Sequence, residues 1–265
     1  MARSSPNRDP IVAIGRSFAV AAATLCLLPL PLLLAVATTP VWQQGLWSGG
    51  FTLRWLAESW SSVGPYAWFS LRLALLTLLF NMLLGMPAAW AIARRNFAGR
   101  AALLALINLP LAIPGIALAL ALILSYPTWR AGGILLLAGH TLYTLPFFVG
   151  ALVPALAQPA LREREHVAAT LGAGVLRRLL FVTLPAIRPA LLAAAIIVTT
   201  LSLGEFNVSF FLFTPTEKTL PIDLYAAYIT GRLEVAAAAT VWFLVLVIPA
   251  AIAIERLGGA RVGQA

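Results

Sequence analysis

Six long apolar runs, too little charge to interrupt them, and no alternating ten-residue segments predict an all-α polytopic membrane protein with six transmembrane helices. Of the 265 residues, 61% are hydrophobic and 10% charged, and mean hydropathy is +0.93. A soluble domain carries roughly 25% charged residues, so this chain has too little polar surface to cover a globule in water. The runs lie at about 18–39, 66–93, 101–125, 132–155, 189–213 and 234–254. Each has roughly the 20 residues that cross ~30 Å of hydrocarbon at 1.5 Å per residue. Membrane-barrel strands would alternate over about ten residues, and none do.

In chain order, the first run follows Arg3, Arg8 and Arg16 and ends near Ala35-Val36-Ala37. That imitates a cleavable signal peptide, but the run exceeds the usual roughly 7–15 residues and contains Pro29 and Pro31, which favours a retained helix. Trp42, Trp47, Trp55 and Trp60, with Trp68 just beyond, place the 40–65 segment along the outer interface, partly as a short helix, because indoles settle at headgroup level. Pro87, Pro110 and Pro114 in the next two runs predict kinked helices, since proline removes a backbone donor and frees an opposing carbonyl. His140 in the fourth run reads as an interhelical hydrogen bond, and Cys26, the single cysteine, as a small apolar residue.

The arginines set the orientation. The N-tail, the 94–100 loop, the 156–188 segment and the C-tail (Arg256, Arg261) hold 13 basic residues. The other side holds 5: Arg54, Arg72, Arg130, Lys218 and Arg232. Lysine and arginine are retained on the cytoplasmic side, so both termini are expected inside. The same pattern removes the nucleic-acid reading of the +9 net charge. The expected organisation is a cytoplasmic N-tail (1–17), one membrane domain (18–256, core from about 66) with a cytoplasmic loop at 156–188, and a cytoplasmic C-tail (257–265).

No enzyme chemistry is apparent, and no catalytic residue, cofactor or metal is expected. The single lysine, Lys218, has no glycine loop before it, so a phosphate-cradling G-x-x-x-x-G-K-[ST] cannot form. His140 and His166 stand far apart, and no G-x-S-x-G elbow occurs. Ion-driven carriers bury several ionisable groups, whereas here Arg72 and Glu205 are the clear intramembrane candidates. Six spans without a motor suggest one component of a larger machine. A stand-alone channel or secondary carrier, and a membrane anchor without transport, are the competing classes.

The stretch "EHVAATLGAGVLRRLLFVTLPAIRP" carries the most information. Val167, Leu171 and Val175 recur at i, i+4 and i+8, one face of a helix. Gly172 and Gly174 predict a turn, and Leu184-Pro185 predicts a stop before the fifth span. A surface helix–turn–helix of this kind is either an interfacial anchor or a docking knob.

Its spacing resembles the EAA loop of type I ABC importer permeases: Glu-Ala-Ala, three residues, Gly, nine residues, Ile-x-Leu-Pro. Ala168 matches the second alanine, Gly172 the glycine, and Val182-Thr183-Leu184-Pro185 the closing element. His166 stands at the glutamate and Val167 at the first alanine, with Glu165 one residue early. "SLRLALLTLLFNMLLGMPAAWAIAR", "LPLAIPGIALAL" and "SLGEFNVSFFL" followed by "TLPIDLYAAY" extend the similarity, the last towards the spermidine/putrescine permease branch.

The resemblance implies the type I importer transmembrane-domain fold in a bacterial cytoplasmic (inner) membrane. It implies an ABC ATPase dimer that hydrolyses ATP, a second permease subunit (in this branch a distinct chain) and an external substrate-binding protein as partners, within membrane lipid. Glu163, Glu165, His166, Ala168, Gly172, Arg177, Leu184 and Pro185 would form the ATPase-coupling site, and Glu205, Asn207 and Arg72 would line the translocation path. Glu205 lies about 12 Å below the outer end of its run and Arg72 about 9 Å into its own, at 1.5 Å per residue. Two roles stay open for Glu205: a fastener paired with Arg72, or an acidic group for a polyamine-like cation.

Overall fold

The computed structural model describes residues 10–258. Arg3, Arg8 and Arg261 of the predicted tails lie outside them. Among the described residues the regular structure is helical: α1 (Pro10–Leu27), α2 (Pro29–Ala37), α3 (Arg54–Arg94), α4 (Arg100–Ala112), α5 (Gly115–Ser125), α6 (Ile134–Ala157), α7 (Pro159–Thr170), α8 (Val175–Arg178), α9 (Leu184–Gly204), α10 (Ser209–Leu212), α11 (Leu220–Ile229) and α12 (Leu233–Gly258). They fall into two compact units.

One unit takes the described part of Met1–Ser62 together with Ala227–Trp242. Pro29 takes the first position of α2, where proline fits, and Leu28 before it keeps helical geometry, so Val12–Ala37 remains one apolar helical segment. α1 begins at Pro10, inside the predicted N-tail, and leaves Val12, Ile14, Phe18 and Leu25 exposed. A small core forms where Ala37, Ala237 and Ala238 meet Trp55 and Leu56. The tryptophan-rich segment is tied down by its polar edges. The Trp55 indole N–H donates to the Thr39 carbonyl (2.9 Å), the Trp42 backbone N–H to Glu234 (2.7 Å), and the Trp242 indole to the Leu56 carbonyl (2.9 Å).

The other unit takes Val63–Ala226 with the described part of Phe243–Ala265. α6 packs along α9, and Phe148, Leu152, Leu156, Ile187, Ala194 and Val198 form its main core with Ala89 and Ile92 of α3. A second core gathers Leu73, Leu122, Leu135, Leu136, Val208 and Leu212.

Four helical segments are long and apolar enough to cross a membrane: Val12–Ala37, Arg54–Arg94, Pro127–Ala157 and Val175–Gly204. A fifth is added if the bent pair α4–α5 counts as one span, and the apolar part of α12, Leu233–Pro249, is shorter. The kink expected at Pro114 in the third run is formed and is sharp: α4 and α5 diverge by 109° across Ile113-Pro114, where both residues leave the helical region. Pro114 supplies no N–H to continue α4 and instead caps α5.

Leu184-Pro185 was expected to stop the helix, yet Val175–Gly204 is continuous. Residues Leu179–Thr183 form a π-turn, whose wider i→i+5 spacing accommodates a prolyl nitrogen that has no hydrogen to donate. The fifth span also ends sooner than its hydropathy suggests. α9 stops at Gly204, Glu205 turns extended, and the chain restarts as α10.

Candidate functional sites

The first candidate is built on α7 and α8. α7 ends in a Schellman turn: the Ala173 N–H bonds the Ala168 carbonyl (2.9 Å) and the Gly172 N–H the Ala169 carbonyl (3.0 Å). Gly172 sits at φ +82°, the left-handed region that side chains with a Cβ resist. Ala168 and Gly172 are thus two parts of one turn. Around the turn, Val167 (60% exposed), Leu171 (83%), Val175 (73%), Leu176 and Phe181 are all exposed; this apolar knob is divided between α7 and the helix that follows, since the turn breaks the single helix face that the spacing predicts.

Behind the knob, α7 is fastened to α3. The Glu165 carboxylate accepts from Arg94 Nη2 (3.0 Å) and from the Thr183 hydroxyl (2.6 Å) on the same oxygen. Arg162 donates to the Ala93 carbonyl (2.7 Å) and Arg100 to the Ile92 carbonyl (2.9 Å), so two guanidinium groups satisfy the orphan acceptors at the C-terminus of α3. Glu163, His166 and Arg177 are exposed beside the knob, Leu184 is half-buried and Pro185 is exposed.

The second candidate lies where the two broken helices meet. A Cβ on Gly115, first residue of α5, would stand 3.0 Å from Asn207 Cβ and 3.2 Å from Val208 Cγ2, so the absence of a side chain at 115 lets the bend pack closely onto the break after α9. Glu205 is buried there and closes the break. Its carboxylate accepts from the backbone N–H of Val208 (2.7 Å) and Ser209 (2.8 Å) and from the Ser209 hydroxyl (2.9 Å). A carboxylate only accepts, so with Ser209 donating to it the serine oxygen must accept from His140 Nε2 (2.8 Å). His140 Nδ1 is left to accept from the Ser202 hydroxyl (2.8 Å). This donor direction fixes the histidine tautomer. One polar chain, Ser202–His140–Ser209–Glu205, joins α6, α9 and α10. It continues through Thr144, which donates to the His140 carbonyl (2.7 Å) and accepts from Asn81 of α3 (2.7 Å).

The Glu205–Arg72 pair weighed from sequence is not formed among the described residues. Arg72 is exposed, lies over the Phe69 ring (5.7 Å) and lines a 110 Å³ pocket with Glu217. Glu205 instead finds its donors in Val208 and Ser209 of its own chain. Arg72 and Arg94 stand about 33 Å apart along α3 at 1.5 Å per residue, close to the thickness of a hydrocarbon core. Asn207 is exposed at the break.

No protein-family model matches the chain. Its sequence is 28% identical over 246 residues to PhnV of Salmonella typhimurium, described as a 2-aminoethylphosphonate transport system permease protein, covering 89% of this chain and 90% of that protein. It is 31% identical over 194 residues to the sulfate transport system permease protein CysW of Synechocystis sp., covering 66% of this chain and 70% of that one. This chain belongs to the ABC transport system permeases. The permease fold is also that of a bacterial ABC transporter involved in import of the acidic polysaccharide alginate, with TM-score 0.71 at 14% identity over 96% of this chain and 99% of that one. With its apolar helices, this permease is an integral membrane protein.

Several residues that organise these sites escaped the sequence reading. Arg94 and Thr183 hold Glu165, and Ser202 and Ser209 hold His140 and Glu205. Only the Glu205–Ser209 pair left a local signal: an acid three and four residues ahead of the N–H groups that it caps.

Proposed function

We propose that this chain forms the translocation path of a bacterial inner-membrane ABC importer and docks its ATPase through residues 161–185. The carrying observation is the exposed knob of Val167, Leu171 and Val175 on a two-helix element locked to α3 by Glu165. Exposed leucine and valine at this density mark an interaction surface. In this reading both termini are cytoplasmic, α4–α5 and α12 complete six spans, and the arginine distribution puts the knob inside. The partners are an ATPase dimer, a second and distinct permease chain, and an external binding protein; ATP hydrolysis belongs to the ATPase.

The structure suggests how such docking would be transmitted. Thr183 lies within the continuous helical segment Val175–Gly204, so a displacement of the knob acts directly on α9 and, through Glu165 and Arg94, on α3. The far end of the rod carries Ser202, in hydrogen-bond reach of His140, beside the meeting of the two broken helices. Discontinuous helices at membrane depth are tolerated where they line a cavity or are buried in protein, and transporters use them to build substrate paths.

For substrate we favour a small oxyanion over a polyamine. The acid on which a polyamine reading depends, Glu205, is buried with both oxygens engaged by its own chain, while Arg72 is exposed and forms no ion pair among the described residues. The relatives named for sulfate and 2-aminoethylphosphonate transport point the same way. Uptake of labelled sulfate, 2-aminoethylphosphonate and spermidine by cells carrying the complete transporter tests this. Spermidine uptake without anion uptake contradicts the oxyanion reading, and loss of ATP dependence contradicts the importer reading.

A further inference from the structure

A pocket of 410 Å³ opens beside the Glu165 fastening, lined by Met86, Pro87 and Trp90 of α3 and by Val175, Arg178 and Leu179. Most of its wall is apolar, yet Arg178 lines it with an unmet donor, and Arg94 contacts two other lining residues, Trp90 and Glu165. Arg178 Nε is buried without an acceptor, and its side chain has no ion pair among the described residues. Arg94, whose guanidinium lies 5.2 Å from the Trp90 ring, has a buried Nε in the same condition. A buried N–H without an acceptor is costly, so the site as it stands calls for one.

The surrounding charge specifies the sign of that acceptor. The 94–100 and 156–188 segments carry eight arginines against Glu163 and Glu165. Glu165, which also lines the pocket, is neutralised by Arg94 at 3.0 Å. The ligand is therefore anionic. The apolar surface specifies the rest of it. Leu79 (48% exposed), Leu83 (59%), Met86 and Trp90 recur at i, i+4, i+7 and i+11, one stripe of α3 leading away from the pocket towards Arg72. That stripe is about 16 Å long at 1.5 Å per residue, close to the depth of one leaflet of a ~30 Å hydrocarbon core. An anion with an apolar tail one leaflet long is a phospholipid.

We propose that the pocket binds an anionic phospholipid of the inner leaflet, with its phosphate on Arg178 and an acyl chain along the α3 stripe. The inner leaflet follows from the cytoplasmic placement proposed above; the binding itself does not depend on transport. Basic pockets between transmembrane helices on the cytoplasmic side are suited to such headgroups. The lipid would brace the joint between α3 and the docking element beside the Glu165 fastening.

The test uses the full chain in bilayer nanodiscs with trace photoactivatable phosphatidylglycerol or phosphatidylcholine, and maps the labelled peptides. The phosphatidylglycerol probe is expected to label residues 86–90 and 175–183 about five-fold more than the phosphatidylcholine probe, the effect of about one arginine at a membrane surface. Arg178→Gln should abolish that preference, and Arg178→Lys, which keeps the charge and guards against misfolding, should keep most of it. Equal labelling by both probes overturns the proposal, as does a preference untouched by Arg178→Gln. Displacement by millimolar inorganic phosphate assigns the site to a free anion and also overturns it. Uptake is read separately: a chain that fails to transport but keeps the lipid preference defeats the importer reading alone.

Discussion

The permease domain holds two glutamates by opposite means. Glu165 sits at the boundary of the fold with a cation and a hydroxyl on one oxygen: Arg94 at 3.0 Å and Thr183 at 2.6 Å. Glu205 is deeper, and both its oxygens are occupied by N–H and O–H donors of the four residues that follow it. The first joins elements 71 residues apart; the second bends one stretch of chain onto itself. An ion pair across elements can be stretched or released when a partner pulls on it. A carboxylate capped by its own backbone cannot be released without unfolding the turn. Glu165 is therefore suited to a moving joint and Glu205 to a fixed corner.

Breaking the corner should have the largest effect on stability. Glu205→Ala leaves the Val208 and Ser209 donors buried and unmet and is expected to destabilise by about 3–5 kcal/mol, seen as a lower Tm in detergent and reduced folded yield. A Tm equal to that of the native chain would show that the break does not need its cap.

Breaking the joint should cost less stability and more function. Glu165→Ala removes one ion pair and one hydroxyl contact at a partly wet site, about 1–2 kcal/mol, yet should lower ATP-driven uptake several-fold while membrane insertion persists. If uptake falls only in proportion to folded protein, Glu165 is a structural fastening and the contrast with Glu205 collapses.

How much of this was readable beforehand follows from the distance over which each signal acts. Hydropathy located the apolar runs, because span length is a local property. Gly172 and Ala168 were also visible, since a Schellman turn is written in neighbouring residues. Pro114 predicted a kink in the third run but not a turn of 109°: hydropathy reports that a segment is apolar, not which way it points. The proline rule placed a stop at Pro185, but a π-turn absorbed it. Glu205 read as a charge within a long apolar run, which suggested a partner on another helix; its donors were three and four residues away. Arg94 and Glu165 pair only after folding, and nothing local to either names the other.

Smaller substitutions sharpen the contrast. Gly172→Ala meets no neighbouring atom within 4 Å, so its cost is the left-handed backbone alone, about 1 kcal/mol, and uptake should fall modestly. Gly172→Val adds β-branching at the same φ and should fall much further in uptake with insertion intact; an equal loss in both would trace the effect to something other than the turn. Ser202→Ala takes the donor from His140 Nδ1 and should cost about 1 kcal/mol, visible in Tm but not in uptake. A loss of uptake there would extend the moving part to the outer end of α9.

If the exposed knob of α7 and α8 seats in the ATPase, charging it should release that partner. The most direct measurement is retention of that ATPase on the affinity-purified full chain, native against the Leu171→Glu/Val175→Glu double variant. Both side chains are more than 70% exposed, so the chain itself should fold and insert as before. A charge forced into an apolar groove should lower retention at least about ten-fold, given the several kcal/mol cost of burying an unpaired carboxylate. Full retention of the ATPase by a correctly inserted double variant would contradict the account.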